Sequence, residues 1–323
     1  MGAPAVDRFR HDVLPRYQAL VAAAEADIDT ASPERLVEIV EQITRCYGEY
    51  LMPVVEAVGL AYRCEFPLAA LYRDHLADRL GGSHLTLLAG LAEPTPLPDH
   101  AVTSLDWSHP THGELVSDTV TAPLDRERHA TLVDRRTRAE ADCRAALADQ
   151  PKMLARFERC LAVVHEYAPI REEMVRHMTL GWPVLRRALL RLGALVQSQG
   201  AIGTPEDVFW LTRDELSTAL NGKPIDHRRD VTERRARWTR QCRLTPPTKI
   251  GRAKSTHERL EHKMVGATVI THDGALASGM PSSPGRATGP VRVVHRPDQF
   301  HTVQPGDILV CQVTTPAWTQ LFG

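Results

Sequence analysis

Residues 279–323 read GMPSSPGRATGPVRVVHRPDQFHTVQPGDILVCQVTTPAWTQLFG, and their spacing decides how the C-terminal part of the chain folds. Glycines and prolines fall at regular intervals between short β-branched runs, which is how a compact β-rich unit marks its corners. Ser283-Pro284-Gly285 predicts a turn, and Gly289-Pro290 ends the next bend. Val291, Val293 and Val294 then make a strand with Arg292 on the opposite face. Pro297-Asp298 opens a single helical turn that Gln304-Pro305-Gly306 closes. Asp307-Ile308-Leu309-Val310-Cys311 is a nearly continuous apolar run of strand length, suited to burial on both faces. Thr314-Thr315-Pro316 sets a capping hydroxyl before a first-turn proline, so residues 316–322 should begin a helix.

The pattern G-x-P-x-S-P-G-x-A-x-G-P-V, followed by P-G-D-I-L-V and T-x-P-x-W-T, resembles the swivelling phosphohistidine domain of the phosphoenolpyruvate-utilising enzymes. That family includes phosphoenolpyruvate synthase, pyruvate phosphate dikinase and the rifampicin phosphotransferases. In it the next elements are a strand, a glycine pair and a Ser-His whose imidazole carries the phosphoryl group. The sequence reaches Gly323 before any of these. The resemblance therefore implies the N-terminal half of a swivel domain, with no catalytic residue in this chain and the carrier histidine lying beyond Gly323.

Outward from this stretch, residues 225–263 hold twelve Arg and Lys against five Asp and Glu. No aromatic platform or nucleic-acid motif accompanies them, so a solvated helix and linker ending at Pro246-Pro247 is expected rather than a nucleic-acid site. Farther back, Ala168-Pro169-Ile170-Arg171-Glu172-Glu173, Leu185-Arg186-Arg187, Leu192-Gly193, Gly200 and 205-PEDVFWLTRDEL-216 resemble the helical substrate-binding region of rifampicin-phosphotransferase-type members. The combined match covers residues 124–322. Without the family, Thr212-Arg213-Asp214-Glu215 is a capping box, and Thr204-Pro205-Glu206-Asp207 puts acids at a helix start.

Residues 151–200 carry two apolar stripes. Met153, Phe157, Leu161, Val164 and Tyr167 form one; Met174, Met178, Leu185, Leu189, Leu192 and Val196 form the other. Gly181-Trp182-Pro183 should kink the second stripe or start a new helix, and Gly200 is placed to end it. Arg171, Glu172 and Arg186 are charges inside these stripes, so they must be paired or face a cavity. Either an Arg-Glu pair fixes helix packing, or these three are the substrate-binding residues and touch an anionic or polar molecule.

Residues 124–150 are rich in Arg, Asp and Glu and predict an exposed helix. Residues 92–125 contain AEPTPLPDH and WSHPTHGEL and predict a long loop, whose functional role would be to cover a substrate pocket. His100, Asp106, His109 and His112 lie in it, but Pro110 prevents a helical ligand face and no metal motif is completed, so no metal is expected. At the N-terminal side, Ser32-Pro33-Glu34 is a helix start, followed by the stripe Leu36, Ile39, Val40, Ile43, Tyr47, Tyr50, Leu51, Val54 and Val55. Tyr47 and Tyr50 could line a pocket, though aromatics on such a stripe are more often core. Residues 66–80 and 83–91 predict two shorter helices. Gly81-Gly82-Ser83-His84 echoes the phosphocarrier motif with the wrong spacing and predicts a turn with Ser83 as a cap.

Composition fits this picture: 323 residues, 43% hydrophobic and 24% charged, with net charge −1. These are ordinary values for a soluble globular chain of two or three domains. Neither a membrane span nor a signal peptide is evident, and six scattered cysteines without a C-x-x-C pair fit a reducing cytoplasm. The expected fold class is α+β: a large, mainly α-helical domain over residues 1–245, a linker over 246–265, and an incomplete β/β/α swivelling domain over 266–323. The expected function is that of a truncated or split phosphotransferase, inactive alone; the alternative is a non-catalytic module that binds a small molecule or protein. The family resemblance implies ATP and Mg in the complete enzyme, but this chain holds neither a P-loop nor an ATP-grasp domain and is expected to bind no cofactor. Its expected partners are a small-molecule substrate and a separate ATP-grasp subunit, with no nucleic acid and no membrane.

Overall fold

A computed structural model describes residues 4–93, 95–102, 104–115, 126–222, 225–244, 286–295, 297–311 and 314. These residues are mainly helical. In chain order they form α1 (Pro4–Arg8), a π-helical turn (Phe9–Val13), α2 (Leu14–Asp27), α3 (Pro33–His75), α4 (Ala77–Leu80), a 3-10 turn (His84–Leu88), α5 (His112–Leu115), α6 (Arg126–Ala146), α7 (Pro151–His177), α8 (Trp182–Ser198), a second 3-10 turn (Pro205–Trp210), α9 (Arg213–Leu220) and α10 (Arg228–Gln241). After residues 245–285 come β1 (Val291–Val293), a 3-10 turn (Pro297–Thr302) and β2 (Ile308–Val310).

The spine is α3, 43 residues long. It starts where expected: Ser32 accepts a hydrogen bond from the Arg35 N–H, Pro33 needs no donor in the first turn, and Glu34 faces the positive helix end. Its stripe is the core, with Leu36, Ile39, Ile43, Tyr50 and Val54 all at most 6% exposed, while Val55 turns outward at 67%. The expected break before residue 66 does not occur. Pro53 and Pro67 both lie inside α3, which runs on to His75. A proline removes one backbone donor and bends a helix, and here packing along α7 carries the helix past both.

Two apolar clusters flank this spine. One joins α1 to α3 with the C-terminal half of α7, α8, the second 3-10 turn, α9 and α10. The other joins the far half of α3 with α4, the first 3-10 turn, α6 and the N-terminal half of α7. Tyr50, fully buried, donates its hydroxyl to the Met174 carbonyl, and the Tyr17 hydroxyl accepts from the Gly181 N–H at 2.9 Å. Burial pushes both tyrosines up, so both stay protonated and act as hydrogen-bonding core residues. Tyr47 packs edge-on against Trp182, with ring centroids 6.2 Å apart. Helix α8 begins at Trp182, and Gly200, at φ +82°, follows its end in the left-handed region. Ser83 accepts from the Leu85 N–H, in a 3-10 turn rather than the longer helix expected there. No helix among the described residues is long and apolar enough to cross a membrane.

The C-terminal strands are parallel, with Val291 opposite Ile308, Arg292 opposite Leu309 and Val293 opposite Val310. Arg292 reaches Asp307 at 3.0 Å. Burial on both faces, expected of 307–311, is not found: Ile308 and Leu309 are half-buried and Val310 is 44% exposed. The expected turn at 283–285 and helix at 316–322 lie outside the described residues.

Candidate functional site

A cavity of about 1010 Å³ opens between α3, residues 105–108, α8, the second 3-10 turn and α9. Its α3 wall is Val37, Val40, Glu41, Thr44 and Arg45, a helical face beside the core stripe at spacings of three and four. Leu189, Leu192 and Leu195 of α8, with Gln199 just past its end, face it, and Arg213, Leu216, Ser217 and Leu220 of α9 join it with the flanking Thr212 and Asn221. The walls are thus mostly apolar, and hydroxyl, amide and charged groups interrupt them, as in sites for amphipathic small molecules. Arg213 pairs with Glu41 across the opening between α9 and α3.

Gly193 lets α8 and the second 3-10 turn meet so closely. A Cβ there would collide with the Pro205 carbonyl oxygen, so this glycine of the Leu-Gly pair is a packing requirement. The turn is held by Asp207, whose carboxylate accepts from the Gly203 and Thr204 N–H groups at 3.0 and 2.9 Å and from Arg235 at 2.6 Å. Val208, Phe209 and Leu211 thereby become cavity wall. Thr212 and Glu215 form the expected capping box of α9.

The third wall is the segment expected to be a loop. Val102 pairs antiparallel with Thr111, the His112 N–H donates to the Ala101 carbonyl at 2.7 Å, and the Gly113 N–H donates to Asp99 at 2.8 Å. This neck holds out a tip whose Leu105, Asp106, Trp107 and Ser108 line the cavity. At its base, His100 sits against Thr179, whose hydroxyl donates to the His100 carbonyl at 2.7 Å. Burial lowers the His100 pKa to about 4, so its ring is neutral near pH 7.

Of the three sequence-predicted binding residues, Arg186 is tied to this wall. It is 6% exposed on α8, and its Nε donates to both Glu114 oxygens at 3.0 and 2.8 Å. One terminal nitrogen donates to the Trp107 carbonyl, and the guanidinium lies 5.1 Å from the Phe209 ring centroid. Arg186 thus stands behind the wall and holds Trp107 and Phe209 in it. Burial pushes the Glu114 carboxyl up, but hydrogen bonds from Arg186 and Thr111 outweigh it and hold its pKa below the usual value. Arg171 and Glu172 lie on α7, where Glu172 is exposed. Neither Glu172 nor Arg186 lines the cavity.

Among the described residues, Glu215, His227 and Asp230 bring one potential metal-ligand atom each within 4.8 Å of one another. Both Glu215 oxygens are already held by Arg234 at 2.7 Å, which keeps its pKa at about 2. A guanidinium saturating the carboxylate leaves a donor set that does not fit a hard cation such as Mg²⁺. The cluster is an ion-pair network that ties α10 to α9.

No family model matches the chain. It is 32% identical over 136 residues to an uncharacterised phosphotransferase of Bacillus subtilis, a match covering 42% of this chain and 16% of that protein. With a rifampicin phosphotransferase of the same organism it shares 27% identity over 179 residues, 54% of this chain and 19% of the relative. A rifampicin phosphotransferase of a Streptomyces species is 30% identical over 237 residues, 68% of this chain and 26% of the relative. The matched part thus spans between about a sixth and a quarter of these proteins, and the chain is a partial relative of proteins named phosphotransferase.

Proposed function

We propose that this chain belongs to a phosphotransferase of the phosphoenolpyruvate-utilising type, that its helical unit binds the phosphoryl acceptor, and that the segment with β1 and β2 is part of the phosphohistidine carrier domain. The cavity is the observation that carries this reading. It lies in the helical unit, its volume suits a large small molecule, and its apolar walls with polar interruptions would hold an amphipathic body while leaving a hydroxyl at the opening. Positioning the acceptor is the contribution such a unit makes, because phosphoryl transfer depends mostly on alignment and charge neutralisation. Arg45 and the Arg213–Glu41 pair would supply charge at the rim. Nucleotide binding and the phosphorylated histidine belong, in this reading, to parts of the enzyme whose motifs the 323 residues do not contain. The chain by itself should therefore bind an acceptor without phosphorylating it.

Calorimetric titration with rifampicin, and fluorescence titration with the apolar dye 8-anilinonaphthalene-1-sulfonate, test the reading. Saturable binding of at least one is expected, weakened about tenfold or more, some 1.4 kcal/mol, by Ser217→Trp, which puts an indole into the cavity mouth. Absence of saturable binding, or equal affinity in the variant, overturns the assignment. An acid-labile phosphohistidine formed by the chain from ATP or phosphoenolpyruvate would overturn the division of roles.

A further inference from the structure

Beyond the hydrogen bonds of the neck, an ion pair on α8 and a ring contact on α10 tie residues 104–115 to other helices, and they are unequal. Inside, Arg186, its side chain 7% exposed, binds the partly solvated Glu114 carboxylate and the Trp107 carbonyl. Outside, the His109 ring rests on Trp238 of α10, with centroids 6.2 Å apart and planes tilted by 49°. Trp238 in turn meets Trp210 edge-on at 6.0 Å, and Arg235 lies 5.7 Å from the Trp210 centroid. Trp238 is 36% exposed, so its hold on His109 is that of a half-wet aromatic contact. Leu105, at the tip between them and beside the cavity, is 60% exposed.

We propose that residues 104–115 are a cover over the cavity, hinged at the Arg186 clasp on Glu114 and the Trp107 carbonyl, and that Trp238 is the latch whose release lets Ser108 and His109 swing aside for a ligand. A segment fixed at a charge-assisted ion pair and held elsewhere by a weaker ring contact opens at the weaker one. The latch stands on α10, the last described helix before the chain leads to the strand segment. Trp210 anchors it on the same 3-10 turn that gives Phe209 to the cavity. A displacement of α10 would thus reach the cavity's cover through one side chain. This role in regulating ligand entry rests on the acceptor-site reading above.

Hydrogen exchange measured by mass spectrometry on the full chain tests the latch without any ligand. His109→Ala and Trp238→Ala remove one contact from its two sides, and each should speed exchange of the Ser108 and His109 amides, both bonded to Asp106 in the tip, about fivefold, with the neck amides of His112 and Gly113 and helices α7 and α8 unchanged. Trp238→Phe should restore protection, and the double variant should exchange no faster than either single one. Wild-type exchange in both alanine variants, or effects that multiply in the double variant, overturns the latch. Stopped-flow entry of 8-anilinonaphthalene-1-sulfonate should accelerate by a similar factor of about five. Unchanged entry, with binding still weakened by Ser217→Trp, overturns the gating role alone. Dye binding that survives Ser217→Trp instead defeats the acceptor-site reading and the gating built on it, while the exchange result still judges the contact.

Discussion

In the helical unit and in the strand pair, a glycine lets two backbone segments touch. Gly193 admits the Pro205 carbonyl against α8, and Gly289 admits the Gly306 carbonyl in the approach to β2. The surroundings then diverge. Around Gly193, Leu185, Ala188, Leu192, Val196 and Val208 are at most 3% exposed. In the strand pair, Val291, Val293 and Val310 are 64%, 51% and 44% exposed, and Val294 is the buried member. Close approach is thus settled by a few neighbouring residues, whereas a dry core needs further layers. Two short strands do not supply them, since a lone pair is marginal in water.

Truncating a residue in each unit would expose that difference most sharply. Leu185→Ala should lower stability by about 3 kcal/mol in urea unfolding, because the side chain is 1% exposed and its removal leaves a cavity. Val293→Ala should cost less than about 0.5 kcal/mol, as for surface sites generally. Equal costs would mean that the strand valines are covered as thoroughly as the helical core.

A smaller effect belongs to the charge inside the helical unit. Arg186→Met should cost about 2 kcal/mol, since it strands the Glu114 carboxylate, whose side chain is 29% exposed and so partly solvated. The loss should shrink on acidification. Glu114 has a depressed pKa in the folded chain, so its contribution is full above the unfolded carboxylate value near about 4.3 and disappears as pH falls through the folded value. Chemical unfolding of both proteins from neutral pH to about pH 3 reads this directly. A pH-independent difference would show that Arg186 acts through packing against Phe209 alone.

The smallest effect compares one carboxylate from each unit. Glu215, gripped by Arg234, has its pKa lowered to about 2, and Asp307 is lowered first by the Gln304 N–H and then by Arg292. In an NMR titration Glu215 should remain ionised well below the ordinary carboxylate range, and Asp307 should titrate below its own usual value. The stability that Glu215 lends should be complete above about pH 5 and fade between roughly pH 4 and pH 2. Ordinary titration of Glu215 would break the network between α9 and α10; ordinary titration of Asp307 would break the turn that leads into β2.

Much of the local structure was legible from neighbours in sequence. The cap at Ser32, the box at Thr212–Glu215, the restart at Trp182, the turn at Ser83 and the strand at Val291 each depend on residues within about a turn of one another. The length of α3 was not, because Pro53 and Pro67 argue locally for breaks that packing against α7 overrides. Nor was the partner of Arg186. Its place inside an apolar stripe pointed to an Arg-Glu pair or a ligand, but Glu114 lies 72 residues upstream in a segment without periodicity. The cavity left two faint traces, the loop over residues 92–125 read as a cover for a pocket and the mixed face of Val37, Glu41 and Thr44 beside the core stripe of α3.

By itself the sequence determined where helices start, which faces are apolar, where glycine must stand and which enzymes the chain resembles, because capping, periodicity and backbone sterics act over a few residues. Tertiary structure alone decided that Arg186 buttresses a wall, that residues 105–108 belong to it and that five separate stretches enclose one cavity. Those outcomes depend on which surfaces exclude water together, and that is a property of residues far apart in the chain.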